Sequence, residues 1–266
     1  MTFVFWQNII SPHQSPFIRA LVELGHDVTV VSAESMTPDR LALGWKTPDL
    51  GRTHMIIDPT SSEISRIVEN SPTNSIHVMA GARLSSLGDR ALRQCRAFKR
   101  RIGIMTEAPD PRGLPGLGRW VKYTMERCTK GFHYDFVLAM GELGVRWFGL
   151  CGYPKARLFP FTYVTESVPF KQNHNQTGIL TLLFAGRFLH LKGLDILLNA
   201  FASIPSNQVQ LRLLGDGEEQ TPLQKQIEHL GIQNRVVWLP KSDSAGVMAE
   251  MEKADVTILP SRKDGW

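Results

Sequence analysis

Short apolar runs alternate with helix-length segments along almost the whole chain, and no other feature constrains the fold as strongly. A strand that is followed by a helix re-enters the same sheet only through a crossover, so neighbouring strands lie parallel and both sheet faces are covered. In the first half the spacing predicts strands at Phe3–Trp6, Asp27–Ser32, His54–Ile57, Ser75–Met79, Arg101–Met105 and Asp135–Met140. Between the first two, a helix from about Pro16 to Leu24 would place Phe17, Ala20, Leu21 and Leu24 on one face and stop at Gly25. The stretch from Ala108 to Gly116, rich in proline and glycine, reads as a long irregular loop. It follows a strand end, where open α/β sheets bind ligands.

The pattern breaks once. Residues 168–178 are polar, contain a proline and a glycine, and show no period, as expected of a linker. A second series follows, with strands at Leu180–Ala185, Val209–Leu214, Val236–Leu239 and Val256–Leu259. Helices are expected near Leu191–Ser203, Pro222–Leu230 and Asp243–Lys253, the middle one capped by Thr221 with Pro222 in its first position. The fold class expected is therefore α/β with two Rossmann-like domains, 1–167 and 179–266. Ligand binding is expected in the crevice between their strand ends.

Composition supports a folded chain. At 42% hydrophobic and 21% charged residues, it is too apolar to be disordered. Cys95, Cys128 and Cys151 are too few and too scattered for a disulfide framework or a zinc site, which points to a reducing, cytosolic setting. No apolar stretch approaches the roughly 18 to 20 residues of a membrane span. The sequence stops directly after the apolar run that begins at Val256, which reads as a cut inside the second domain.

The net charge of +5 is uneven: residues 83–130 hold twelve Lys/Arg against four acids. Two segments carry most of it, Arg93–Arg101 and Arg119–Lys130. They fit either solvated helix faces or an anionic membrane surface. Nucleic acid is not expected, since no binding motif or series of stacking aromatics accompanies the cations.

The stretch with the most chemistry is Phe184-Ala185-Gly186-Arg187-Phe188-Leu189-His190-Leu191-Lys192-Gly193. A strand runs into a glycine turn, an arginine, and then a lysine at the expected start of a helix. Gly186 permits close backbone approach, Arg187 offers a planar fork of donors, and Lys192 adds a point charge beside N–H groups of a helix terminus. Together these form a diphosphate clamp. Spacing alone also allows a tight turn with two surface cations. No D-x-D pair occurs to hold a divalent ion, and no GxSxG elbow, P-loop or GxGxxG dinucleotide turn is present.

Phe-Ala-Gly-Arg, four residues, then Lys-Gly resembles the donor-site signature of retaining glycosyltransferases of the family-4 type, which have the two-domain GT-B fold. Three further segments resemble that family in its order: Leu213-Leu214-Gly215-Asp216-Gly217-Glu218, Asn234–Leu239, and Ala254–Trp266 with its Pro260-Ser261-Arg262. The first half, through Gln7–Gln14 and Ala139-Met140-Gly141, resembles bacterial members that build surface polysaccharide.

The resemblance implies that Arg187 and Lys192 bind the diphosphate of a nucleotide-sugar and neutralise its leaving group, with Gly186, Gly215, Asp216 and Gly217 lining the donor site. It implies that Asp264, in place of the family's usual glutamate, approaches the sugar hydroxyls. The partner acid of that motif falls beyond Trp266. His13, in the loop after the first strand, is read as a contact to donor phosphate or acceptor hydroxyl. Glu107 and Gly81, with Arg83 beside it, follow other strand ends and are read as cleft contacts. An incidental loop histidine and a surface carboxylate are the plain alternatives.

The activity implied is hexosyl transfer, with retention, to a saccharide or lipid-linked saccharide. It would proceed by front-face displacement, in which the departing phosphate oxygen takes the acceptor's proton. It needs no cofactor, the nucleotide-sugar being a substrate, and no metal. The setting implied is cytoplasmic, peripheral on the inner face of the membrane. An epimerase of the same fold and a non-catalytic nucleotide-sugar-binding fragment are the other readings.

Overall fold

A computed structural model describes residues 1–42, 44–81, 85–129, 134–166 and 178–263. The described residues gather into two compact units.

The first unit is a seven-stranded sheet in the order β3-β2-β1-β4-β5-β6-β7, and every adjacent pair is parallel. The strands are β1 (Thr2–Gln7), β2 (Asp27–Ser32), β3 (His54–Ile57), β4 (Ile76–Ala80), β5 (Arg101–Thr106), β6 (Phe136–Met140) and β7 (Leu158–Phe161). Between them run α1 (Ser15–Glu23), α2 (Pro38–Ala42), α3 (Ser61–Asn70), α4 (Ser86–Ala97), α5 (Gly113–Thr129) and α6 (Gly141–Leu150). One sheet face packs Val4, Trp6 and Ile104 against Ile64, Leu92 and Phe148; the other packs Phe5, Val30 and Val78 against Ile18 and Leu50. The strand order reverses between β1 and β4, the position at which a doubly wound sheet opens a crevice beyond its strand ends.

Four local expectations change. β7 is not expected from the sequence, because Leu-Phe-Pro-Phe carries a proline; it lies at the sheet edge and pairs only with β6, the place in a sheet where a proline is tolerated. α5 begins at Gly113, so the irregular loop shrinks to 107–112. Pro115 lies in the first turn, where a helix has no intrahelical use for its N–H. α1 buries Ile18, while Leu24, at its C-cap, is 73% exposed instead of continuing the apolar face. The fourth lies in the second unit: its middle helix starts before Thr221.

That unit is a four-stranded parallel sheet, order β10-β9-β8-β11, from β8 (Leu180–Ala185), β9 (Val209–Leu214), β10 (Val236–Leu239) and β11 (Val256–Thr257). Its helices are α7 (Leu194–Ala202), α8 (Gln220–His229) and α9 (Ser244–Lys253). Phe184, Phe188, Leu198, Leu211 and Leu213 form its core, all without exposed surface. The first helical turn of α8 is set by Gly217 and Glu219 carbonyls, which accept from Gln220 and Leu223 N–H. Glu219 is therefore the N-cap residue, and no side chain caps the helix.

One buried polar network in the first unit has a definite direction. Trp6 Nε1–H donates to His77 Nδ1 at 3.1 Å, so the imidazole proton sits on Nε2. Nε2 faces Ser75 Oγ at 3.1 Å and Ser71 Oγ at 3.2 Å. Ser75 Oγ–H continues to Ser71 Oγ, and Ser71 Oγ–H to the Val68 carbonyl at 2.7 Å. Burial, with a smaller contribution from the Arg100 guanidinium, lowers the His77 pKa from 6.5 to about 4.

Candidate functional site

In the second unit the turns after β8 and β9 are meshed. Gly186 N–H donates to Leu214 O at 3.0 Å, Phe188 N–H to Asp216 O at 2.6 Å, and Glu219 N–H to Phe188 O at 3.0 Å. Phe188 anchors the first turn, fully buried with its ring centroid 5.5 Å from that of Trp238 and 6.2 Å from that of Phe184. With Phe188 held inward, Gly186 and Arg187 face solvent.

The meshing explains both glycines of Gly215-Asp216-Gly217. A Cβ on Gly215 would fall 2.0 Å from the Gly186 carbonyl oxygen, and one on Gly217 2.3 Å from that of Phe188. These glycines let two backbone turns touch, whatever else they bind. Asp216 is exposed, 3.9 Å from Lys241 Nζ, a loose pair contributing little by itself. Lys241 thus adds a cation beside Asp216 that the sequence reading did not single out.

Lys192 closes a 3₁₀ turn, His190–Lys192, and does not begin the helix. Gly193 intervenes in the left-handed conformation (φ 69°) as the N-cap of α7, with no side-chain cap bond. A Cβ there would lie 2.2 Å from the Pro260 carbonyl oxygen, so the segment after β11 packs directly on this turn. Arg262 fastens it. Its N–H donates to Leu191 O at 2.9 Å, and Nη1 to His190 O at 2.7 Å. The guanidinium also makes a forked pair with Asp195 at 2.7 and 2.5 Å. The Arg262 hydrogen bonds hold the Asp195 carboxyl below its ordinary pKa. Arg262 is therefore the positioning residue for the turn that carries Lys192. In the sequence Pro260-Ser261-Arg262 stands out only by resemblance, because the contacts of this arginine are to residues about 70 positions away. Asp264 lies outside the described residues.

In the first unit, β1 ends at Gln7, buried, with Nε2 donating to Gln14 Oε1 at 2.5 Å and Oε1 without a partner. The loop that follows carries His13. Its ring centroid lies 5.8 Å from that of Tyr163, and its carbonyl accepts from Val164 N–H at 3.0 Å. Burial, then the Arg40 charge, lowers the His13 pKa, and Glu107 partly opposes this. Tyr163 lies beside the Glu107 carboxylate; burial first, then that carboxylate, keeps the phenol protonated well above its ordinary range. His13, Glu107 and Tyr163 are thereby gathered beyond the strand ends, a neutral imidazole and a phenol around one carboxylate. Tyr163 carries no sequence signal of its own, because it follows β7, the strand hidden by its proline. Gly81 is tied separately, its N–H donating to Met105 O at 2.7 Å, and Arg83 lies outside the described residues. Among the described residues no three His, Cys, Asp or Glu side chains gather to hold a metal ion.

Residues 166–266, which include both meshed turns, match the family described as glycosyl transferases group 1. No curated protein sequence matches the chain. Among solved structures, HepE of Anabaena in complex with UDP is 17% identical, with TM-score 0.65 over 100% of this chain and 75% of that one. The lipopolysaccharide outer core galactosyltransferase WaaB, in its apo form, is 14% identical with TM-score 0.63, covering 100% and 76%. A glycosyltransferase from Rickettsia africae is 11% identical with TM-score 0.66, covering 99% and 74%. The fold is GT-B. Within a GT-B chain, the meshed turns belong to the second Rossmann-like unit and the His13–Tyr163–Glu107 group to the first.

Proposed function

We propose that this chain is a glycosyltransferase whose second unit binds a nucleoside-diphosphate sugar and whose first unit contacts the acceptor hydroxyl. The observation that carries the reading is the exposed Arg187 on a turn locked to Gly215-Asp216-Gly217, inside the segment that matches the glycosyltransferase family. Arg187 and Lys192 supply fixed positive charge to the diphosphate, and Arg262 holds the Lys192 turn in place. Charge placed before reaction stabilises the leaving phosphate without reorganisation when the glycosidic bond breaks. Transfer with retention follows if the departing phosphate oxygen takes the acceptor's proton while the acceptor oxygen bonds to the anomeric carbon on the same face. No strong protein base is then required. A neutral His13 and the Tyr163–Glu107 pair are suited to orienting a hydroxyl rather than removing its proton.

Asp264 and Gly81 remain proposed contacts to the donor sugar and acceptor. The acceptor proposed is a saccharide or lipid-linked saccharide of cell-surface polysaccharide, met at the cytoplasmic face of the membrane. UDP is the nucleotide to test first, since a complex of the similar HepE structure contains it.

The test is protection against thermal unfolding by UDP, GDP and ADP, with the wild-type chain and with Arg187→Ala and Lys192→Ala. One nucleoside diphosphate should protect. Each substitution should weaken its binding by about tenfold or more, since a charge-assisted hydrogen bond contributes roughly 1.5–3 kcal/mol. Equal protection of both variants would remove the clamp assignment.

A further inference from the structure

Helix α5 presents to solvent the face that a helix usually buries. Leu114, Leu117, Val121 and Met125 follow at steps of three and four and form one stripe, 85%, 58%, 44% and 65% exposed. Cys128, also exposed, continues it. The helix is not loosely attached, because its opposite face packs: Tyr123 meets the rings of Trp147 and Phe148 at 5.8 and 6.1 Å, and Gly116 is buried. Trp120 lies at the margin, its Nε1–H donated to Leu150 O at 3.0 Å, and Leu150 itself is 70% exposed.

The charge beside this stripe is positive on balance. Arg112 precedes the helix, and Arg119 and Lys122 are exposed along its flank. Asp110 pairs with Arg112 at 3.1 Å, which cancels that arginine, and Glu126 is half-buried beside Lys122 and Met125. The other basic segment, Arg93–Arg101, lacks such a combination. The apolar residues of α4, Leu87, Ala91, Leu92 and Cys95, are buried, and Arg100 donates to Val68 and Glu69 carbonyls.

An exposed apolar stripe with cations at its edge suits one surface above others, the boundary between headgroups and acyl chains of an anionic bilayer. The helix, about 25 Å long at 1.5 Å per residue, would lie along that boundary. Among the described residues no helix is long and apolar enough to cross a membrane. We infer that α5 docks this chain on an anionic membrane, with Leu114, Leu117, Val121 and Met125 in the acyl region and Arg119 and Lys122 against lipid phosphates. The inference rests on the proposed transferase reading only in its purpose, to hold the first unit where a lipid-linked acceptor resides.

The experiment is co-sedimentation of the full chain with vesicles of phosphatidylcholine alone or mixed with phosphatidylglycerol. The wild type should bind the anionic vesicles and prefer them over the neutral ones, and added salt should weaken binding without abolishing it. Leu114→Ser with Met125→Ser should lower vesicle affinity about a hundredfold, roughly tenfold per inserted side chain. Its thermal unfolding midpoint should stay unchanged, since both residues are already exposed. Lys122→Glu should weaken binding to anionic vesicles only, and Leu24→Ser, exposed elsewhere, should do nothing. Wild-type indifference to vesicles, or a stripe variant that binds as well as wild type, would overturn the inference. So would a wild-type dimer, seen by sedimentation, that the stripe variant abolishes while vesicle binding persists. Nucleotide protection is read separately, so loss of the membrane inference leaves the donor-site reading standing, and the reverse.

Discussion

Acidification should destabilise the first unit through His77, and the magnitude follows from its hydrogen bonds. The ring is held neutral: Trp6 N–H points at Nδ1, so a second ring proton would face a donor, and burial removes the water that could compensate. Folding therefore lowers this pKa from 6.5 to about 4. Above pH 6.5 both folded and unfolded chains are neutral at this residue, and its stabilisation is complete. Between 6.5 and 4 only the unfolded chain takes up a proton, so stability falls by about 1.4 kcal/mol per pH unit, to a total of about 3.5 kcal/mol. Below that window the effect is flat.

His77→Leu removes the titration and leaves Trp6 Nε1–H without its acceptor, which should cost about 1–3 kcal/mol at pH 7. Wild type should therefore be the more stable at pH 7, with its advantage shrinking towards zero or reversing by pH 4. In a chain of two compact units a single global transition is not assured, so amide hydrogen exchange of β1 and β4 is the proper readout, beside a titration of the ring by NMR. A stability difference that stays constant from pH 7 to 4.5, or a ring that protonates above pH 6, would refute the reasoning.

Gly215→Ala should destabilise the second unit by about 3 kcal/mol or more, because its Cβ would overlap a backbone carbonyl that cannot swing aside; urea unfolding within 0.5 kcal/mol (about the scatter of neutral substitutions) of wild type would contradict this. Asp195→Asn should leave stability nearly unchanged, since its pair with Arg262 is partly solvated, yet weaken nucleoside-diphosphate protection several-fold by loosening the Lys192 turn. Isothermal titration that finds unchanged affinity would remove the positioning role of Arg262. Tyr163→Phe, which frees Glu107, should raise the His13 pKa and lower transfer to the acceptor while leaving nucleotide binding intact; an NMR titration and a coupled transfer assay check the two halves.

The alternation of strands and helices is a local property, so the sequence by itself determined the parallel α/β class and most strand positions. Gly186-Arg187-Phe188 and Gly215-Asp216-Gly217 were likewise visible as turns, because glycine spacing is written in the chain. Three things required the tertiary structure. β7 was hidden because the harm done by Pro160 depends on whether the strand is central or at an edge, and only the assembled sheet decides that. Tyr163 and Glu107 are far apart in sequence and meet because parallel strands bring their ends to one side. The apolar stripe of α5 has the spacing of a buried face, and only its packing through Tyr123 and Gly116 turns that stripe outward. Sequence patterns state which residues share a face or a turn; which face is covered, and which turns touch, is decided by contacts between segments distant along the chain.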